Sequence, residues 1–474
     1  MSRDMSTSRK TPVNWLLISF WMIGALSFII RAYVNFSQEL LIGNGGYYPL
    51  QVRTVLERGE LAFPDMPLLF YLDAGIVRLI SMFDIPVSNE LIMNVVMTVD
   101  SVSVPLLLIP LYQLFKLTKN TRFSYSIASI TVFAVLSFYT LNLISTSQKN
   151  SLAITLLFFT ISSLIAYLNT NKRKSLILSI VFFVLVGLTH FGTFSFSLLF
   201  GAIFLMFRYK KKAFIPLAIL LVSALLLVYV FDPTRSERLL FAWQELFSIS
   251  PNPPQLVQML AYLTFAIVAI FGFRKFKDSF NDSERTIIFT LITILVIIPL
   301  PVIDPQYTSR LSVFLFIPLV LLILIFNTVI SSRSKRTISI LVGIISLASI
   351  GFVLSKNGPI DVSGNALTDM ENMKPYISNS NETVVVSRHN LEFWVAWTLH
   401  VDVCQESKFD NTLINEYDDI LILNQIQKSD SRKRGMHRRG GKGRSHFEEP
   451  LIPTNATLVY SSEHFKLYRY NTMN

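Results

Sequence analysis

Between residues 44 and 73 the chain carries a polar, Gly- and Pro-punctuated stretch whose residue types can do chemistry. It opens on Asn44-Gly45-Gly46-Tyr47-Tyr48-Pro49, closes on Phe63-Pro64-Asp65-Met66-Pro67 and runs on to Asp73. In between, Thr54–Arg58 has helical character and stops at Gly59. Turns on both sides of a short helix hold Arg53, Glu57, Arg58, Glu60, Asp65 and Asp73 near one another and near a membrane surface. Farther along, Gln148, Lys149, His190, Asp232, Arg235, Glu237, Arg238, Asp304, Tyr307 and Arg310 stand at the ends of apolar runs. Cations and carboxylates mixed at head-group depth suit one class of reaction. A lipid phosphate or pyrophosphate leaves, stabilised by Arg, Lys or His as charge develops. A carboxylate takes the proton of an acceptor hydroxyl. For His190 the alternative is a structural imidazole bonded to a backbone carbonyl. No HExxH, no GxSxG and no Gly-rich phosphate loop on a strand occurs, so soluble nucleotide or hydrolase sites are unsupported.

The elements that must position these groups are membrane helices. Of 474 residues, 51% are hydrophobic and 15% charged, the composition of a polytopic membrane protein. Apolar runs near 14–34, 91–115, 123–144, 150–168, 175–190, 192–207, 213–231, 257–273, 285–303, 311–330 and 337–355 suffice for about eleven spans of a 30 Å hydrocarbon layer. The first run lacks a small-residue cleavage site and is expected to stay as a span. A twelfth candidate, 67–83, is short and carries Asp73 and Arg78, so it is expected to lie along the outer membrane boundary.

Loop charge fixes the orientation. Arg3, Arg9 and Lys10, then Lys116–Arg122, Lys172–Lys174, Arg208–Lys212, Arg274–Lys277 and Arg333–Arg336 form one alternate, basic set. The positive-inside rule places that set, with the N-terminus, in the cytoplasm and everything after residue 355 outside. The net charge of +11 is therefore largely a topology signal, and no nucleic-acid partner is implied. Thr189-His190-Phe191-Gly192-Thr193 becomes a tight outer turn. The single cysteine, Cys404, supports neither an internal disulfide nor a multi-cysteine metal site.

The expected domains are a transmembrane domain, 1–355, with a long first outer loop at 35–90, and a small extracytoplasmic α/β domain, 356–474. The outer domain holds strand candidates Thr383–Ser387, Ile420–Leu423, Thr457–Tyr460 and Phe465–Tyr470, and an aromatic helix Leu391–Leu399. A basic, Gly-rich loop at 428–446 interrupts it and reads as mobile. Glycosylation sequons occur at Asn35, Asn381 and Asn455.

This layout resembles the GT-C superfamily of integral-membrane glycosyltransferases, with a protein-mannosyltransferase or aminoarabinose-transferase character. Gly45-Gly46-Tyr47-Tyr48, Gly59 and Pro64–Tyr71 look like the family's first outer catalytic loop entering an amphipathic helix at 67–83. Leu188-Thr189-His190 sits where many members have Leu-Thr-Lys. The resemblance implies sugar transfer from a polyprenyl-phosphate donor, at the outer membrane face, to a lipid, glycan or protein. The family commonly places an acid before the aromatic pair, where this chain has Asn44. The base then falls to Asp65, Glu39 or Asp73, with Asp65 favoured because Pro64 and Pro67 brace it. Asn44, Tyr47, Tyr48, Arg53, Gln148, Lys149, His190, Arg235, Tyr307 and Arg310 are the matching substrate-binding candidates. Asp65, Arg53, Lys149, His190 and Arg310 are expected to line one outward-opening cavity. No metal-ligating motif is present, and a divalent cation stays open. Other readings are a lipid-linked-glycan flippase, which calls for charges at mid-membrane, and a non-catalytic relative, which Asn44 suggests.

Overall fold

The computed structural model describes residues 15–37, 46–118, 124–233, 253–300, 304–355, 364–380, 382–409, 411–426, 453 and 455–470. Helices occupy each of the eleven stretches expected as spans. They begin with α1 (Trp15–Phe36); between it and the next span lie α2 (Tyr47–Arg58) and α3 (Leu68–Ser81) of the first outer loop. The second passage is α4 (Asn89–Ser103) continued by α5 (Leu108–Leu117), and the third is α6 (Tyr125–Leu136) with the short α7 (Phe138–Leu141). Then come α8 (Gln148–Thr170), α9 (Arg173–Thr189), α10 (Phe191–Tyr209) and α11 (Phe214–Phe231). Helices Pro253–Phe276, Asp282–Ile297, Pro305–Ser312 with Phe316–Phe326, and Ser332–Ser355 follow. Among the described residues six stretches are long and apolar enough to cross a membrane. Many of their large side chains, such as Ile215, Val222, Leu226 and Tyr229 on α11, face outward, as lipid contact requires.

α3 is not one of the six. Its 14 residues rise about 21 Å, short of the hydrocarbon thickness. Leu69, Phe70, Asp73, Ala74 and Val77 face inward, whereas Tyr71, Leu72 and Leu79 are exposed, continued by Met82 and Phe83. This is the amphipathic pattern of a helix lying on the membrane boundary.

A buried ion pair locks α1 to the bundle. Arg31 and Asp100 are 0% and 1% exposed, and Arg31 Nη2 donates to Asp100 Oδ1 at 2.8 Å. Arg31 also donates to the Thr140 carbonyl at 2.9 Å and to Ser151 Oγ at 3.0 Å. Asp100 Oδ2 accepts from Asn35 at 3.0 Å and from the Ser145 backbone at 2.9 Å, where Ser145 takes a left-handed φ of 66°. Every charge-bearing group is satisfied, the condition under which a buried pair is tolerated. The sequon at Asn35 is thus a buried side chain in this network, not a surface acceptor.

The outer domain is a five-stranded sheet in the order β2-β1-β3-β5-β4. Its strands are β1 (Thr383–Ser387), β2 (Asp402–Gln405), β3 (Asp419–Gln425), β4 (Ala456–Ser461) and β5 (Phe465–Tyr470). β1 runs parallel to β2 and β3, while β5 is antiparallel to β3 and β4. β2 was not expected, because Asp402-Val403-Cys404-Gln405 is a short edge strand with little apolar signal. Val384, Val386, Ile420 and Ile422 line one face with Leu413 and Tyr417. Val385, Leu421, Leu423, Phe465 and Leu467 line the other, in one core with the helix Leu391–Leu399 and with α2, α3 and α4. The outer domain and the first outer loop therefore share a hydrophobic core, separate from the core of the transmembrane bundle.

The basic segment 428–446 and the sequon at Asn381 lie outside the described residues.

Candidate active site

The site starts at Gly46, where the backbone closes against an indole. A Cβ there would meet the Trp394 ring at 2.8 Å, so only glycine lets α2 dock on the helix Leu391–Leu399. The next residue, Tyr47, is wedged among rings. Its centroid lies 5.0 Å from Phe393, 5.7 Å from Phe70, 5.6 Å from Tyr48 and 6.4 Å from Phe63. One turn on, Gln51 donates to the Tyr47 hydroxyl at 3.0 Å and to the Phe63 carbonyl at 2.9 Å, and accepts from the Phe63 amide at 3.2 Å. Gly59, at φ 80°, closes α2 and turns the chain back so that Phe63 can reach Gln51.

That return brings in Asp65. One carboxylate oxygen accepts from the Met66 amide at 2.7 Å. The other accepts from the Tyr47 hydroxyl and from the Lys149 ammonium. Asp65 is 5% exposed and the Lys149 side chain 13%, so the pair is shielded but reachable. Lys149 also stands 5.3 Å from the Tyr47 ring centroid and 5.6 Å from that of Phe70, within cation–π range. Burial, reinforced by the Asp65 charge, raises the Tyr47 phenol above its ordinary range, so it stays a donor.

Lys149 lies in the first turn of α8, whose N-cap Ser147 makes no side-chain cap bond. Burial raises Tyr48 too, opposed by hydrogen bonds from the Lys149 and Gln148 backbone at that helix start. Gln148 is 1% exposed, and its Nε2 has no hydrogen-bond partner among the described residues. Donors thus accumulate at the positive end of a 23-residue helix, an arrangement that favours an anion.

The structure brings Asp65, Tyr47, Gln51 and Lys149 into one constellation; Arg53 goes elsewhere. It lies about 200° round the helix from Gln51. There it donates to the carbonyls of Trp397 at 2.6 Å and Ala396 at 2.7 Å, with its guanidinium 4.8 Å from the Trp397 ring centroid. It caps the last turn of Leu391–Leu399 and clamps the outer domain onto the first loop. The cavity expected for five residues is not a single set of contacts: Arg53 serves the domain junction.

His190 occupies the one-residue joint between α9 and α10, where its Nδ1 accepts from the Thr193 amide at 3.1 Å. A Cβ at Gly192 would meet the imidazole at 2.8 Å, so glycine makes room for the ring. The helix Pro305–Ser312 packs on α10 and carries an exposed Arg310. Asp73 is fully buried, and neither carboxylate oxygen has a hydrogen-bond partner among the described residues. Burial, with the Asp100 charge nearby, raises its pKa well above the ordinary carboxylate range. Asp73 therefore sits where its charged form is disfavoured and accepts a hydrogen bond from neither Tyr47 nor Lys149, which makes Asp65 the better-placed candidate base. Glu39, Asn44 and Arg235, and the side chain of Tyr307, lie outside the described residues. Among the described residues no three His, Cys, Asp or Glu side chains gather to hold a metal, and a cation reaching Asp65 would have to displace Lys149. Sequence reading missed Arg31 and Asp100, although an ionisable residue inside an apolar run is a signal in itself. It also missed Gln51, whose role depends on a fold-back that no local pattern reveals.

No family model matches the sequence, and no curated protein matches it. Solved structures do match in fold. ArnT from Cupriavidus metallidurans bound to undecaprenyl phosphate aligns over 97% of this chain and 98% of its own, with 9% identity and a TM-score of 0.52. The same protein in the apo state aligns over 96% and 98%, with 9% identity and a TM-score of 0.53. The oligosaccharyltransferase of Archaeoglobus fulgidus, in complex with Zn and sulfate, aligns over 84% of this chain and 67% of its own, with 12% identity and a TM-score of 0.53. At such identities the likeness is one of fold alone: the chain shares the fold of ArnT and of the oligosaccharyltransferase, with a small C-terminal sheet domain. The chain is an integral, multi-pass membrane protein.

Proposed function

We propose that this protein is a glycosyltransferase that moves a sugar from a polyprenyl-phosphate carrier to an acceptor at the outer face of the membrane. The observation that carries this reading is Asp65, held between Tyr47 and Lys149 at the start of α8 on a GT-C fold. The ArnT structure with undecaprenyl phosphate makes a polyprenyl phosphate the natural donor carrier. Its phosphate meets Lys149, the Gln148 amide group and the α8 N-terminus, and His190 and Arg310 are the further cations assigned to it. As the acceptor oxygen bonds to the anomeric carbon, its proton passes to Asp65. The carbon–oxygen bond to the phosphate breaks and the electron pair stays on the phosphate, where the cations stabilise it. Lys149 therefore exchanges partners, holding Asp65 at rest and the phosphate during transfer. The topology supports a cytoplasmic N-terminus and an extracytoplasmic outer domain.

The test uses the full chain in lipid nanodiscs with a radiolabelled polyprenyl-phosphate sugar. Asp65→Asn removes transfer and leaves carrier binding largely intact, because the base is lost while Lys149 and the α8 N-terminus still meet the phosphate. His190→Ala and Arg310→Ala weaken carrier binding and transfer together. Full transfer by Asp65→Asn alongside loss in Glu39→Gln moves the base to Glu39; if neither change matters, carboxylate catalysis from this loop is abandoned.

A further inference from the structure

The outer domain holds a polar cluster that neither the Asp65 constellation nor the Arg53 clamp uses. β1 and β3 are parallel neighbours, yet the chain goes from β1 to β2 on one side, and from β3 to β4 and then β5 on the other. Open α/β sheets bind ligands outside the carboxyl ends of their strands at such a switch point. Here the carboxyl end of β1 is Ser387, followed by Arg388-His389-Asn390 and the helix Leu391–Leu399. Ser387 is 2% exposed, and its hydroxyl has no hydrogen-bond partner among the described residues. The same holds for Glu392 Oε2, in a side chain 5% exposed, and for the side-chain oxygen of Asn390. Strand alternation puts Ser387 on the Val385 face of the sheet, the face that looks toward Leu391–Leu399 and the first outer loop. Buried polar atoms are normally paired, so these three oxygens within six residues, beside the buried Nε of Arg388, call for a partner that the described residues do not supply.

The orphans also say what that partner is. Two of the oxygens are pure acceptors and the third is a hydroxyl, while Arg388 Nε is a buried donor in the same turn, so the ligand must donate and be able to accept. An anion is disfavoured, because the Glu392 carboxylate already accepts from the helix N-terminal amides and, at 3.0 Å, faces His389 Nδ1. An ammonium is disfavoured by Arg388 next door. Neutral hydroxyl groups remain, and a sugar presents several of them, each able to donate and to accept. The cluster also borders the site: Phe393, which follows Glu392, lies 5.0 Å from the Tyr47 ring and 5.5 Å from Phe63.

We propose that the turn Ser387–Glu392 is a subsite for a neutral saccharide and grips a glycan-bearing acceptor beside Asp65. The acceptor role rests on the transferase reading; the saccharide binding does not. Equilibrium binding of fluorescent neutral di- to tetrasaccharides to the full chain in nanodiscs tests it. Ser387→Ala removes one oxygen, and Asn390→Gly removes another while keeping the left-handed backbone at φ 76°. Each is expected to weaken binding about five- to tenfold, the worth of one hydrogen bond, with an unchanged unfolding midpoint. No saccharide binding by the parent protein, or equal binding by both variants, overturns the subsite. Binding that depends on Ser387 and Asn390 without any transfer from a polyprenyl-phosphate sugar keeps the subsite and sinks the transferase reading.

Discussion

Replacing Lys149 by methionine tests the centre of the site. In the parent protein Asp65 accepts from the Met66 amide, the Tyr47 hydroxyl and the Lys149 ammonium while 5% exposed. Lys149→Met keeps the length of the side chain and its contact with Phe70 but strands the carboxylate beside two neutral donors. Removing one partner of a buried pair costs about 3–5 kcal/mol. The two remaining donors and the 13% exposure of Lys149 place this case near the lower end, about 3 kcal/mol. That corresponds to about a 150-fold rise in opening of the loop around Asp65, read as faster hydrogen exchange of the amides of residues 60–66. Asp65→Asn alone strands the lysine and has a similar effect. The double change Asp65→Asn/Lys149→Met removes both charges, so protection recovers most of the way while transfer stays lost. If Lys149→Met speeds exchange less than about threefold, or if the two single effects simply add, the pair does not hold the loop and the constellation is wrong.

Three further outcomes follow from other parts of the molecule. Reporters fused after Lys212 or Arg336 read cytoplasmic, and one at residue 380 reads external; an external reading at Lys212 reverses the orientation of the site. Gly46→Ala drives a methyl group into Trp394, costs about 1–3 kcal/mol and lowers transfer, with partial rescue by Trp394→Leu; unchanged transfer would mean the two helices do not meet as described. His400, whose Nε2 lies 3.4 Å from Arg53, has its pKa lowered by burial and then by the Arg53 charge, with Glu57 opposing and Lys374 adding. Its stabilising contribution is full above the unfolded value of about 6.5 and is lost as the pH falls through that value toward the lower folded one. Protection from hydrogen exchange in Leu391–Leu399, relative to the intrinsic rate at each pH, therefore falls on acidification from neutral pH, and His400→Gln flattens that response; an unchanged slope in the variant refutes the assignment.

Much of the architecture was legible because membrane insertion is a local rule. A run of apolar residues must form a helix that satisfies its own backbone, and a basic loop stays on one side, whatever the rest of the chain does. The aromatic helix Leu391–Leu399 and four strands were equally visible, since their residue types and spacing reflect burial on the spot. Asp65 stood out because two flanking prolines fix its turn. Partners of charged side chains were another matter. Nothing near Arg53 indicates that its guanidinium meets carbonyls more than 340 positions away, nor does anything near Asp65 announce Lys149. By itself, then, the sequence determined which segments form the long apolar helices and where four of the five strands and the aromatic helix of the C-terminal sheet domain lie. Tertiary structure alone decided that Lys149 pairs with Asp65, that Arg53 joins the domains and that Asp73 is buried with no hydrogen-bond partner among the described residues. Local patterns record each residue's own solvent, whereas the partner of a charge depends on how distant helices meet.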